Sequence, residues 1–222
     1  MGPESTIEYY RLLVSGYRER APDHSYPSLL INSIDVNKVL TLAAAAKRVL
    51  LVEYLTAGLL QLARAGADYG LLAANTPHIV FPEVSRKSPL PLISIVQATC
   101  DFAKKRKFTR LGLFGTRSTM QAGFYQQVFR EQGIDILLPG IEEQNYINAK
   151  YVGELIAGHF LPETRERLLA IVKKLKDAHG IEGLILGGTE LPLLLRGDAE
   201  VGIPFLDTTR IHVQAALESM FS

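Results

Sequence analysis

Three segments in the first half of the chain return in the second half, in the same order and at nearly one spacing. Residues 2–6 (GPEST) are echoed by residues 115–119 (GTRST), 113 positions on. Residues 66–75 (GADYGLLAAN) run without gaps against 180–189 (GIEGLILGGT), 114 positions on. Pro91-Leu92-Ile93 is echoed by Pro204-Phe205-Leu206, 113 positions on. Ordered self-similarity at a fixed spacing implies two related halves. The division expected is 1–97, completed by a closing helix 208–222, and 98–207. The repeat also makes Gly2 the counterpart of Gly115, which ends the apolar run RLGLF. Gly2 should likewise end a strand, so the fold is expected to lack its first strand.

Short apolar runs alternate with stretches of helical spacing. Strands are predicted at 26–33, 69–73, 92–96, 111–114, 134–138 and 184–186, with another beginning at 204–206. Helices are predicted at 36–65, 97–105, 120–132 (opened by Ser118 and Thr119), 148–157, 164–179 and 208–220. This alternation indicates an α/β fold: two pseudo-symmetric open parallel sheets with helices on both faces.

Composition removes several classes of function. The 222 residues carry 24 basic and 23 acidic side chains, a formal charge of +1. Proteins that bind polyanions carry a large positive excess, so nucleic acid is not the expected partner. The run Lys104-Lys105-Arg106-Lys107 reads as a solvated helix end. A single cysteine excludes an intrachain disulfide and a cysteine-built zinc site. The other histidines, His24, His159, His179 and His212, have no metal-like spacing, so no metal is expected. The first twenty residues hold no signal-peptide core, and no apolar run reaches the roughly 18 residues of a spanning helix. A cytoplasmic protein that binds no membrane is the expectation.

In open parallel sheets, ligands bind beyond the carboxyl ends of the strands. Four such loops are legible: 2–6, 73–78, 115–119 and 187–191. All are rich in Gly, Ser, Thr or Asn. Small residues let backbone N–H groups approach an anion, and helix starts add positive dipole. The same residues also serve turn geometry and capping. Taken together, the four suit a small carboxylate.

The segments MGPESTIEYYRLL, AANTPHIVFPEV, GLFGTRSTMQAGFY and LILGGTELPLLL, in this order, resemble the aspartate/glutamate racemase family. That group works without PLP or any other cofactor and includes aspartate, glutamate and hydantoin racemases. The resemblance implies two α/β domains with the active site between them, a homodimer, and a small acidic amino acid as ligand. It also implies an opening strand ahead of the GPEST segment. The family's chemistry uses two cysteines on opposite faces of the substrate α-carbon. One thiolate removes the proton and the other thiol returns one, which suits thiols because their pKa lies near neutrality. In this chain those positions are Ala74 and Gly188, and the repeat pairs the same two residues. Neither can carry a proton.

The resemblance places Asn75, Thr76, Thr116 and Thr189 as substrate-binding positions, with Gly2 and Ser5 in the first loop. Arg117 could hold a second carboxylate by a paired hydrogen bond. Family members selective for aspartate keep two further basic residues. Lys38 might stand for the first, and Ile156 occupies the place of the second. His78 and Glu190 are the acid–base candidates of the two former cysteine loops, with Glu4 a third. Their other reading is that His78 orients its loop and Glu190 braces the following turn. Cys100, on a helix, reads as a small buried hydrophobe.

Three functional readings follow. The first is a racemase-type isomerase of a small acidic amino acid, using His78 and Glu190. The second is a protein that kept the pocket, lost the chemistry and binds a small carboxylate or amino acid. The third is a lyase or hydrolase using the same anion pocket.

Overall fold

The computed structural model describes residues 2–195 and 201–222. In chain order the helices and strands are α1 (Pro3–Arg20), α2 (Val36–Ala44), α3 (Arg48–Arg64), β1 (Gly70–Leu71), α4 (Phe81–Lys87), β2 (Leu92–Ile93), α5 (Ile95–Lys105) and β3 (Arg110–Gly115). There follow α6 (Arg117–Gln121), α7 (Phe124–Arg130), β4 (Asp135–Leu137), α8 (Ile141–Gly153), α9 (Pro162–His179), β5 (Gly183–Gly187), α10 (Leu191–Leu194), β6 (Phe205–Asp207) and α11 (Thr208–Met220). Short 3-10 turns cover Thr76–Val80 and Leu155–Ala157. The chain divides into two compact units. Unit 1 is Met1–Ala98 with Thr209–Ser222, and unit 2 is Thr99–Thr208.

Unit 2 is built on a four-stranded parallel sheet in the order β4-β3-β5-β6. Every residue of β5 is buried, and Leu111, Leu113 and Phe114 of β3 are fully buried. Continuous apolar runs of this kind belong to strands covered on both faces. Helix α9 buries Leu168, Ile171, Val172 and Leu175 in the same core as Phe114, Leu184 and Leu186. It ends at Gly180, whose φ of +61° is the left-handed conformation of a glycine stop.

Unit 1 has two paired strands among the described residues. Gly70 lies opposite Leu92 and Leu71 opposite Ile93. In unit 2, Leu184 lies opposite Phe205 and Ile185 opposite Leu206. Under the sequence repeat these are the same pairs, so the echo is realised as one strand register. Two apolar clusters build unit 1. Val39, Leu51, Leu55 and Leu59 belong to the first, and Tyr9, Leu13, Val213 and Leu217 to the second.

Several expected elements differ. Residues 26–33 form no strand. They alternate between half-buried and exposed as a strand would, but no neighbour supplies a ladder. Side chains hold the segment instead: the Asn32 amide donates to Gly58 O (3.1 Å) and Gln61 Oε1 (2.7 Å), and the Asp35 N–H donates to the Tyr54 hydroxyl (3.1 Å). The helix expected at 36–65 breaks between α2 and α3, where Ala46 takes φ +51°. The strands expected at 69–73 and 92–96 shorten to two residues each, and α5 starts at Ile95.

The helix expected at 120–132 becomes α6 and α7, parted at Gly123 with φ +82°. Thr116, not Ser118 or Thr119, caps α6. Helix α8 begins seven residues before the expected 148, because the Glu143 carboxylate reaches back to the Gly140 N–H (3.0 Å) and fixes an earlier start. Gly2 stands at the N-cap of α1, where its carbonyl accepts from Thr6. A strand ahead of it lies outside the described residues.

Candidate functional site

The loop after β5 carries Gly188, Thr189 and Glu190, of which the last two are buried. It turns tightly, with the Leu191 N–H donating to Gly188 O (3.1 Å). The Glu190 carboxylate is the centre of a compact polar group. Its Oε2 accepts from the Tyr151 hydroxyl, which reaches in from α8, and from the Thr189 hydroxyl at 2.9 Å. Burial, and then the negative charge of Glu190, push the Tyr151 phenol well above its ordinary value. The phenol is therefore a donor here and not a base.

Tyr151 also defines position 188. A Cβ added at Gly188 would stand 2.8 Å from Tyr151 Cζ and 2.9 Å from its hydroxyl oxygen. Real Cβ atoms do not approach so closely, so the ring occupies the room a side chain at 188 would need. No periodicity or motif links Tyr151 to the Gly188 loop across this sequence distance, and the residue reads as an ordinary helix aromatic.

The neighbouring loop follows β3. Gly115 lies opposite Gly187 in the β3–β5 ladder. A Cβ at Gly115 would come within 2.6 Å of the Gly187 carbonyl, so the two strand ends close on each other through glycine. Thr116 is buried, and its hydroxyl caps α6 by accepting from the Thr119 N–H (3.2 Å). Arg117 is exposed. Its backbone N–H donates to Asn148 Oδ1 (2.7 Å) and its guanidinium to Asn145 Oδ1 (3.0 Å), so α8 braces it in an extended pose.

In unit 1 the loop after β1 leads from Ala74 through the buried Asn75 and Thr76 to His78. His78 is 2% exposed, and backbone holds both of its ring nitrogens. The Ile95 N–H donates to Nε2 (3.2 Å), so the proton sits on Nδ1, which donates to the Ala74 carbonyl (3.0 Å). Phe81 stacks on the ring at 4.8 Å. Burial, and then the nearby His212, lower the His78 pKa to about 3. A neutral ring spent on two backbone bonds orients its loop and has no lone pair left for a substrate proton.

His212, on α11, is the unforeseen partner. Its Nε2 donates to Ile93 O (2.9 Å), its Nδ1 accepts from the Tyr9 hydroxyl (2.8 Å), and burial lowers its pKa to about 4. Ser5 is buried in the first turn of α1, and Glu4 is in the same turn but exposed. Cys100 is buried, its thiol pushed up to about 11 by burial, so it packs and is not ionised. Lys38 lies over the Tyr54 ring at 4.2 Å. Among the described residues no cluster of His, Cys, Asp or Glu could hold a metal, and no helix is long and apolar enough to cross a membrane.

The comparisons agree with this architecture. Residues 1–216 match the family model of Asp/Glu/hydantoin racemases. A Yersinia pestis protein provisionally assigned as an Asp/Glu racemase is 30% identical, with a TM-score of 0.88 over 99% of this chain and 95% of that one. An aspartate racemase homologue from Pyrococcus horikoshii is 32% identical, with a TM-score of 0.80 over the same shares. Glutamate racemase from Aquifex aeolicus is 26% identical over 65% of this chain, a match that spans 56% of that enzyme. With the family model matched along nearly its whole length and two solved structures superimposing on almost all of it, the chain belongs to the Asp/Glu/hydantoin racemase family.

Proposed function

We propose that this family member binds a small acidic amino acid or related carboxylate and does not invert it by the two-thiol route. The observation that carries this reading is the Tyr151 ring in the place of a side chain at position 188. It turns the absence of one thiol from a missing group into a filled space. At the other position Ala74 offers only a methyl group, and His78 beside it is spent on backbone bonds. The polar positions of the family remain: Asn75 and Thr76 in unit 1, Thr116 and Thr189 in unit 2, with Arg117 for a second carboxylate. A glutamate racemase from Francisella tularensis that shares the fold was solved with D-glutamate bound, which supports this ligand class.

The Glu190–Tyr151 pair favours a second reading. A carboxylate beside a phenol that cannot readily ionise is a base poised by its donor. With no acid on the opposite face, such a base exchanges the α-proton with solvent and leaves the configuration unchanged.

One experiment separates the readings. The chain is incubated in deuterium oxide with aspartate, glutamate and a panel of other amino acids. Thermal shift reads binding, NMR reads α-deuterium, and chiral chromatography reads inversion. Binding without exchange supports the first reading. Exchange with retention that is lost in Glu190→Gln supports the second. Inversion above the protein-free rate overturns both.

A further inference from the structure

Unit 1 contains a slot with the shape of a missing strand. A cavity of about 610 Å³ runs along the free edge of β1. The extended segment at 27–34 forms its far wall, with Leu29 and Ile31 facing the cavity. Leu13 of α1 lines it on one side and Leu59 of α3 on another. Backbone groups alternate in direction along a strand. Since the Gly70 N–H bonds to Pro91 O on the β2 side (2.9 Å), the N–H and C=O of Leu71 point the other way, into the slot. An apolar enclosure with a row of backbone donors and acceptors on one wall is a strand's environment.

Unit 2 shows what fits. β1 and β2 correspond in sequence and register to β5 and β6. On the far side of β5 lies β3, Arg110–Gly115, whose Leu111, Leu113 and Phe114 are fully buried. β3 runs directly into the Gly115–Thr119 segment, the counterpart of Gly2–Thr6. The equivalent place in unit 1 is the slot.

We propose that the slot is a strand-acceptor site. Its occupant is an extended apolar segment joined to the chain at Gly2. It lies parallel to β1 and pairs with Leu71, as β3 does with β5. The segment at 27–34 then gains the ladder neighbour it lacks and becomes the outer strand.

The test fuses a copy of β3, Arg-Leu-Gly-Leu-Phe-Gly, directly ahead of Gly2 in the full chain. A control carries Arg-Ser-Gly-Ser-Asp-Gly. Thermal unfolding and hydrogen exchange of the Leu71 amide are read on both. The apolar extension should raise the midpoint by about 5 °C or more and slow Leu71 exchange about tenfold or more, while the polar one does neither. Equal effects from both, or unchanged exchange at Leu71, overturn the proposal. If the fused chain aggregates, the free apolar hexapeptide is titrated into the original chain. Saturable protection of Leu71 supports the site, and none overturns it. Occupation by a fatty acid or apolar dye that the peptide cannot displace also overturns it.

Discussion

The phenol ring of Tyr151 fills the space that any side chain at position 188 would require. The two positions are therefore in competition, and their substitutions should not add. Gly188→Cys alone is expected to destabilise the chain by about 1–3 kcal/mol through overpacking. Tyr151→Ala alone should cost about 3 kcal/mol or more from the cavity it leaves. The double variant should cost less than the sum by about 1 kcal/mol or more. Urea unfolding of the four chains checks this, and strict additivity would show that the ring and position 188 do not compete.

Removing only the Tyr151 hydroxyl tests the polar half of the same arrangement. Tyr151→Phe takes a donor from the buried Glu190 carboxylate, leaving Thr189 on that oxygen. The expected loss is about 1–3 kcal/mol. In a Glu190→Gln background the hydroxyl faces a neutral acceptor, so the same change should cost less. A Tyr151→Phe chain as stable as the parent would mean that the pair contributes nothing net.

Acid should weaken unit 1 before carboxylate titration begins. His78 and His212 have pKa values lowered to about 3 and about 4, against 6.5 when unfolded. Between those values the unfolded chain binds more protons than the folded one, so stability rises with pH. It is fully present above the unfolded value and falls as pH drops below about 6.5. Each ring contributes a slope near 1.4 kcal/mol per pH unit at most. From pH 7 to pH 5 the loss should total about 2–4 kcal/mol. Denaturant midpoints at the two values measure it, and His212→Gln should flatten the dependence by roughly half.

Glycine at the β3–β5 strand ends is required by contact. In Gly115→Ala the new Cβ would meet the Gly187 carbonyl oxygen, which is backbone and cannot rotate away. A cost of about 2 kcal/mol or more is expected. Gly153→Ala is the control. It lies at the end of α8 with nothing within 4 Å of its Cβ. Alanine there should be neutral or stabilise by up to about 1 kcal/mol. Calorimetry of the two variants tests the contrast.

The parts legible in the sequence are those whose structure is set by neighbours along the chain. The closing helix 208–220 has the expected bounds, and the apolar runs of β3 and β5 lie where their burial on both faces predicts. Residues 26–33 have a strand's pattern and no strand, because a strand is defined by its partner and not by its own side chains. Ala46, in the left-handed region between α2 and α3, carries no local signal, since alanine is the best helix former. At the site, the positions of Ala74, Gly188 and Glu190 on strand-end loops were readable from the repeat. Tyr151 and His212 were not, because each meets its partner only through the tertiary fold.

The two buried imidazoles of unit 1 hold opposite tautomers, and this gives their hydrogen bonds a common polarity. Donation runs from Tyr9 to His212 and on to the Ile93 carbonyl, then from the Ile95 amide to His78 and on to the Ala74 carbonyl. No ring in this line can flip alone, because a flip would set lone pair against lone pair on one side and proton against proton on the other. The loop with Asn75 and Thr76 is thus keyed to α1 and α11 like a tumbler in a lock. A change in the first or last helix is read at the loop as a whole step, and small adjustments are not passed on.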